Sequence, residues 1–518
     1  MASRGAWLVA LIASLAVATF GVVRGTWAVG GSDSSCYALM ADAFANGRLQ
    51  PVTPLALEAP WPQASLTFAA AGFIPSPVRP DAASPICSPG FSLLLAPFRL
   101  IAGRDGIFIV TPLAGALIVL LAFVFGRQIS NPPTGAAAAI LVATMPAFLF
   151  QVTQPMNDVV VAMLWMGVFV AASLPDPSRP WVLGALTGLA VLVRPNLAPA
   201  AVIVGIWLVV VTSRTYGALS GWPRRAAVAF AIAAAPFVAA MLVLNTVLYG
   251  QPLASGYGST RDLFSFQNVI PNIRQYGRAL FETQLGLPLL GVLAIVLTPR
   301  GVRSVVSLAL VVSASIVAIY LLYQPFPEWW YLRFLLPALA LMTVLAAAAG
   351  GSLLAPLIRP VWLRAAAAST LVAAIAMFAI DAAGDRQVFD LHRIESRFRR
   401  SGHVVRDRLP PNAVCVSVWQ SGTVRYHAAR ASVMWDSMDP AALDSAVVWL
   451  SSRGLEPFIL VEEWEEPLFR ERFSDRSALG QLDWPPRFDI GRQVRIYSVA
   501  DRARYAAGAN IQTEYVRR

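Results

Sequence analysis

Asp33 stands where the first apolar run of the chain ends, in Gly31-Ser-Asp33-Ser-Ser-Cys-Tyr37-Ala-Leu-Met-Ala-Asp42. A carboxylate held where a membrane helix surfaces can take a proton from a substrate arriving from lipid or from water, which is general-base chemistry. Tyr37 and Asp42 share its short amphipathic stretch and are candidate substrate contacts. Asp158, in Pro155-Met-Asn157-Asp158-Val, opens another apolar run, and Arg194-Pro195-Asn196 interrupts a third. A charge at such a boundary is costly unless it is used or paired. Asp158 also suits the first turn of a helix, where the dipole favours an acid, and Arg194 either snorkels to headgroups or pairs internally. Arg333 follows Glu328-Trp-Trp-Tyr331-Leu. Tryptophan and tyrosine belong at membrane interfaces in any case, but a guanidinium at headgroup depth is a good bidentate phosphate ligand. Arg278, in a later outer loop, is a second such candidate.

The elements that position these residues follow from composition. The chain has 518 residues, 57% hydrophobic and 13% charged, so it must carry repeated runs long enough to span a bilayer. The first run, residues 6–28, reads as a retained signal anchor. Further spans are expected near 106–126, 135–153, 157–174, 181–194, 197–212, 226–249, 286–299, 304–323, 333–350 and 362–381. The expected fold is therefore a polytopic α-helical membrane protein with about 11 transmembrane helices. All 40 basic residues are arginine. Those in the membrane part fall mainly in the N-terminal stub and in alternate loops, which makes those loops cytoplasmic by the positive-inside rule and the tail extracytoplasmic. By that orientation every acid before residue 383 except Asp176 lies on or near the outer face, so any chemistry faces outward.

Three segments follow: a transmembrane domain over 1–382, its long first outer loop over 30–105, and a soluble extracytoplasmic tail over 383–518. A loop of that length is usually functional. It is expected to hold helices at 37–46 and 89–102 around a proline-rich stretch. The tail opens with a polar helix over 386–408 that Pro410-Pro411 ends. It then alternates short apolar strands with helical patterns, which reads as a small α/β domain. It has no glycine-rich phosphate loop and no nucleophile elbow. The net charge of +11 resides mostly in the membrane part, so it points to lipid headgroups and excludes nucleic acid as a partner.

Cys36, Cys87 and Cys415 all fall on the outer side by this topology. The compartment permits a Cys36–Cys87 bridge, but sequence does not supply its geometry. The three histidines lie in the tail, so no nitrogen or sulfur metal site is indicated. No cofactor is required. A divalent cation is possible if Asp33, Asp42 and Asp158 converge.

The order of these parts resembles the GT-C superfamily of polytopic glycosyltransferases, which use polyprenyl-phosphate sugars and include protein O-mannosyltransferases and lipid A aminoarabinose transferases. The likeness rests on Gly31-Ser-Asp33 with Tyr37, Ser88-Pro-Gly-Phe91-Ser-Leu-Leu, Asn157-Asp158, Gly184-Ala-Leu-Thr-Gly188 running to Arg194-Pro195, and Tyr331-Leu-Arg333-Phe-Leu-Leu-Pro337. It covers roughly residues 1–350. The resemblance implies that Asp33 is the catalytic base, that the first loop frames the active site, and that a lipid-linked donor enters between spans. Many relatives carry a second acid beside the first, whereas Ser32 and Ser34 flank Asp33 here. The implied partners are a polyprenyl-phosphate sugar and an extracytoplasmic glycan, lipid or protein acceptor. Arginine-only, alanine-rich usage suggests a GC-rich bacterial genome, hence a bacterial cytoplasmic (inner) membrane. A transporter or flippase using the Arg194-Pro195 break as an unwound site, and a non-catalytic scaffold presenting the tail, share parts of the pattern.

Overall fold

Apolar length sets most of the architecture. The protein is described here from a computed structural model covering residues 2–174 and 179–517, so Asp176 lies outside the described residues. Among the described residues, seven helices are long and apolar enough to cross a membrane, and two bent pairs pass the same test. This is a membrane protein. One pair, Pro132–Ala143 with Pro146–Val152, turns by 65°. Pro146 begins its second half and leaves Met145 extended. The other, Phe266–Gln284 with Leu287–Leu297, turns by 98° at Leu285 and Gly286, both in the left-handed region. Residues 269–284, expected as outer loop, are thus helical. Two segments expected as spans form shorter helices, Asn157–Ala172 of 16 residues and Arg179–Val193 of 15. At about 1.5 Å per residue each is shorter than a hydrocarbon core of about 30 Å.

Contact density divides the chain into two compact units. The first comprises Met1–Gly25, Phe108–Met241 and Gly258–Leu391, and the second Thr26–Ile107, Leu242–Tyr257 and His392–Arg518. The grouping departs from the linear division expected near residue 382, because the long loop clusters with the tail. In the first unit, Leu336–Leu357 packs against Arg303–Leu322, Pro132–Ala143 and Asn157–Ala172. Its buried Ala338, Ala340, Ala346, Ala348 and Ala349 allow neighbouring helices close approach.

The second unit is built on a sheet in the tail. A short hairpin in the loop pairs β1 (Phe73–Pro75) with β2 (Ala83–Pro85). The tail then supplies β3 (Ala413–Val416), β4 (Ala431–Val433), β5 (Glu456–Glu462), β6 (Phe488–Ile490), β7 (Val494–Ser498) and β8 (Glu514–Val516), ordered β4-β3-β5-β7-β6-β8. Strands β4, β3 and β5 are parallel, and β7 runs antiparallel to β5 and β6. The two-residue period of a strand sends Val414, Val416, Ile459 and Val461 into one core and Cys415, Phe458 and Leu460 into another. The second core is closed by Val404 and Val405 of the helix Leu391–Arg408. The first is closed partly by the loop, whose Ala56, Trp61, Ala64 and Phe68 pack with Trp435, Phe469 and Phe473. The loop's apolar side chains thus complete a core that the sheet leaves open.

Candidate active site

Asp33 lies in the first turn of the helix Gly31–Ala45, which begins earlier than its amphipathic pattern indicates. The acid is therefore inside the helix, half-buried, where the helix dipole favours a negative side chain. Ser34 fixes the entry, since its hydroxyl accepts from the Gly30 amide at 3.0 Å and donates to the Gly30 carbonyl at 2.5 Å. Gly31 adopts φ +63°, and a Cβ there would stand 3.2 Å from the Trp419 ring. Gly72, at φ +87°, comes so close that a Cβ would lie 2.3 Å from the Ser32 carbonyl oxygen. Only glycine fits at position 72, and at position 31 any other residue would be strained.

The tail supplies the rest of the support. The Val29 amide donates to His427 Nε2 at 3.1 Å, and the Thr423 hydroxyl donates to the Val29 carbonyl. That bond requires an unprotonated His427 Nε2. Burial, then the cations Arg399, His403, Arg104 and Arg406, push the His427 pKa down to about 3. Ser421 Oγ accepts from the Ala71 amide at 2.9 Å, and Arg425 donates to the Phe68 carbonyl. Burial lowers the Arg425 pKa to about 10, which leaves it charged. None of these tail residues was legible as support for Asp33. The only signal was the run Ser421–Ala428 after a strand, which has no motif that names its partner.

Tyr37 and Asp42 hold helices together. Tyr37 is buried with its ring edge-on to Phe91 at 5.0 Å, and Ser92 Oγ donates to its carbonyl. Asp42 pairs with Arg99 at 2.7 Å. Both contacts join Gly31–Ala45 to Pro89–Ala102, and a Cys36–Cys87 disulfide with Cα atoms 6.2 Å apart ties the first helix to the chain just ahead of the second. The bridge that the compartment permitted is present.

In the first unit, Asp158 and Arg194, expected as separate substrate contacts, are partners. Asp158 is 1% exposed in the first turn of Asn157–Ala172, and Arg194 Nη2 donates to its Oδ1. The same nitrogen donates to Asn157 Oδ1 at 2.7 Å. Arg194 follows the end of Arg179–Val193, where Pro195 cannot continue the helix. Of the two alternatives the sequence left for this cation, internal pairing holds. Two residues on, Asn196 donates to Tyr320 Oη at 2.9 Å, and the Tyr320 ring stacks on Phe334 at 5.0 Å. Arg333 lies over Tyr331 and Phe334, 5.2 Å from each centroid, among the rings of Tyr323 and Phe326. A polar and aromatic line thus runs from Asp158 to Arg333. Tyr320 was missed because it sits inside an apolar run. Arg278 lies elsewhere: its side chain is 78% exposed and pairs with Glu282, which also takes Arg386 at 3.0 Å. Nothing in this geometry singles it out for phosphate.

The suggested convergence of Asp33, Asp42 and Asp158 on a cation does not fit. Among the described residues no three His, Cys, Asp or Glu side chains gather to hold a metal ion, and arginines engage Asp42 and Asp158. No step is derived through a metal.

These features define a polytopic membrane fold whose first span leads directly to an acid-bearing helix, with a sheet-containing tail. The fold is similar to those of a solved oligosaccharyltransferase and of ArnT. The oligosaccharyltransferase of Archaeoglobus fulgidus in the apo form superposes with a TM-score of 0.54 at 13% identity, over 90% of this chain and 71% of that one. ArnT from Cupriavidus metallidurans bound to undecaprenyl phosphate gives 0.53 at 12% identity, over 90% of this chain and 95% of that one. AglB from A. fulgidus, in complex with an inhibitory peptide and a dolichol-phosphate, gives 0.55 at 13% identity, over 89% and 70%. No protein-family model matches the sequence, and no curated protein matches it.

Proposed function

We propose that this chain is an inverting membrane glycosyltransferase that moves a sugar from a polyprenyl phosphate to an extracytoplasmic glycan, lipid or protein. The observation that carries the reading is Asp33, half-buried in the first turn of the helix after the first span. The fold that holds it has solved neighbours bound to undecaprenyl phosphate or dolichol-phosphate.

A phosphate-linked sugar already has a good leaving group, so the protein must activate the acceptor and balance the departing charge. The Asp33 carboxylate takes the acceptor hydroxyl proton as its oxygen bonds to the anomeric carbon. The bond from that carbon to the phosphate oxygen breaks, its electron pair leaves with the polyprenyl phosphate, and a single displacement inverts the centre. Arg333, set among aromatic rings that limit its hydration, is the proposed phosphate ligand. Arg194 is a weaker choice because Asp158 already balances its charge.

The proposed membrane is a bacterial cytoplasmic one, with the N-terminus inside and the tail outside. Transfer from a radiolabelled polyprenyl-phosphate sugar pool, measured in membranes with wild type or Asp33→Asn, tests the reading. Label should reach an acceptor fraction only with wild type. Equal transfer by a well-expressed Asp33→Asn overturns the assignment of the base.

A further inference from the structure

We propose that the tail carries a separate docking cleft for a neutral glycan. This deepens the transferase reading, on which its role as an acceptor site rests. The cleft has a volume of about 450 Å³, within the range of small-ligand sites. It lies where β7, the approach to β6, the helix Val499–Ala506 and β8 meet.

Its chemistry points to a polyol. Trp484 and Tyr497 are buried at its wall, edge to face at 5.6 Å, and Tyr505 and Tyr515 stand exposed at its rim. The exposed faces of the rim rings beside polar groups are what a pyranose requires, with C–H bonds on its faces and hydroxyls around its edge. Each charged group in the wall has a partner of opposite sign, inside the wall or just behind it. Glu466 accepts from Arg470 at 2.7 Å and from Arg495 at 2.6 Å, with the Tyr497 hydroxyl donating at 3.2 Å. Asp489 lies 3.9 Å from Arg495 and accepts from the Arg492 amide, and Asp483 pairs with Arg502. A phosphate or a nucleic acid requires uncompensated positive charge, and an acyl chain requires an apolar wall. Neither is here. Paired side chains keep spare lone pairs and N–H groups in fixed positions, which suits neighbouring sugar hydroxyls.

Binding to the detergent-solubilised full-length protein tests this, using a panel of neutral hexasaccharides (gluco-, manno-, xylo- and arabino-) read by calorimetry and by tryptophan fluorescence. At least one should bind, and Tyr505→Ala/Tyr515→Ala, which alters two exposed rim rings, should weaken it by about tenfold or more, as loss of a stacking platform does. Asp33→Asn should bind as wild type does. In the transfer assay the rim variant should raise KM for a long acceptor and leave kcat and the donor KM unchanged. Absence of binding by every hexasaccharide overturns the proposal, as does binding that ignores the rim variant or preference for a peptide or for polyprenyl phosphate. Glycan binding by a protein that transfers nothing keeps the cleft and sinks the transferase reading, so the two failures are distinguishable.

Discussion

Asp33 in the first turn of Gly31–Ala45 and Asp158 in the first turn of Asn157–Ala172 occupy equivalent points of two helices, each preceded by an extended residue, Gly30 or Met156. Their surroundings differ. Asp158 is closed off with Arg194 and Asn157, so its charge is consumed in holding two helix ends. Asp33 is half-buried, and the backbone that carries it is fixed on several sides: Gly30 by Ser34, the Ser32 carbonyl by Gly72, Gly31 by Trp419. In one region the side chain stabilises the fold, and in the other the fold positions the side chain.

The largest expected effect breaks the comparison on its chemical side. Asp33→Asn should lower transfer by about a hundredfold to ten-thousandfold, the usual yield of a general base, with unchanged expression and melting. Asp158→Ala should act on the fold. It strands Arg194 in a low-dielectric interior at a cost of about 3–5 kcal/mol, read as a lower melting temperature and less folded protein in detergent. Adding Arg194→Met should restore part of that loss, because the uncompensated charge goes with it. If Asp158→Ala melts like wild type yet transfers nothing, the two acids play the same kind of role and the comparison fails.

Arg333 sharpens the same contrast between cations. Arg194 is bound up with Asp158, whereas Arg333 sits among aromatic rings, and Arg333 is the one expected to affect donor handling more. Arg333→Ala should reduce kcat/KM for the lipid-linked donor by about tenfold to a hundredfold, the worth of hydrogen bonds to a charged group. Arg333→Lys should recover little, since an ammonium lacks the planar fork. Unchanged donor kinetics in Arg333→Ala would remove it from the site.

The sequence carried the membrane class, the acid after the first span and four of the tail's six strands, missing Phe488–Ile490 and Glu514–Val516, because apolar length and the two-residue period are local signals. Residues 494–499, expected as a strand, form β7 as far as Ser498. Residues 441–452, expected as a helix, form the turn Pro440–Ala442 and the helix Leu443–Ser452. Pairings between distant residues were not legible. Asp158 and Arg194 each advertised a costly charge, yet nothing in either stretch named the other as its partner. The grouping of loop with tail was hidden for a related reason: Trp61 and Phe68 look like stray aromatics in a proline-rich loop, and only the sheet's incomplete core explains them. The contacts of Tyr37 and Asp42 were equally hidden, because Phe91 and Arg99 lie some fifty residues further on.

The smallest expected effect concerns pH and the chain entering Asp33's helix. Val29 donates to His427 Nε2, which can accept only while that nitrogen is unprotonated. Burial and nearby cations hold His427 at about 3, well below the 6.5 of an unperturbed histidine. Above pH 6.5 both the folded and unfolded chains leave it neutral, so its contribution is complete. As pH falls below 6.5 the unfolded chain takes up a proton that the folded chain refuses, and stability declines until His427 itself protonates near pH 3. Raising the pH from 7 to 8 should change nothing through this group. Amide exchange at residues 26–34 should therefore accelerate between pH 6.5 and 4 after correction for intrinsic rates, before the spans are affected. In His427→Gln the side-chain carbonyl does not titrate, so the baseline exchange should be faster and this pH dependence flat. An equally steep profile in that variant would mean that another group opens the segment in acid, and the support of Asp33 would then have to be sought away from the Val29–His427 bond.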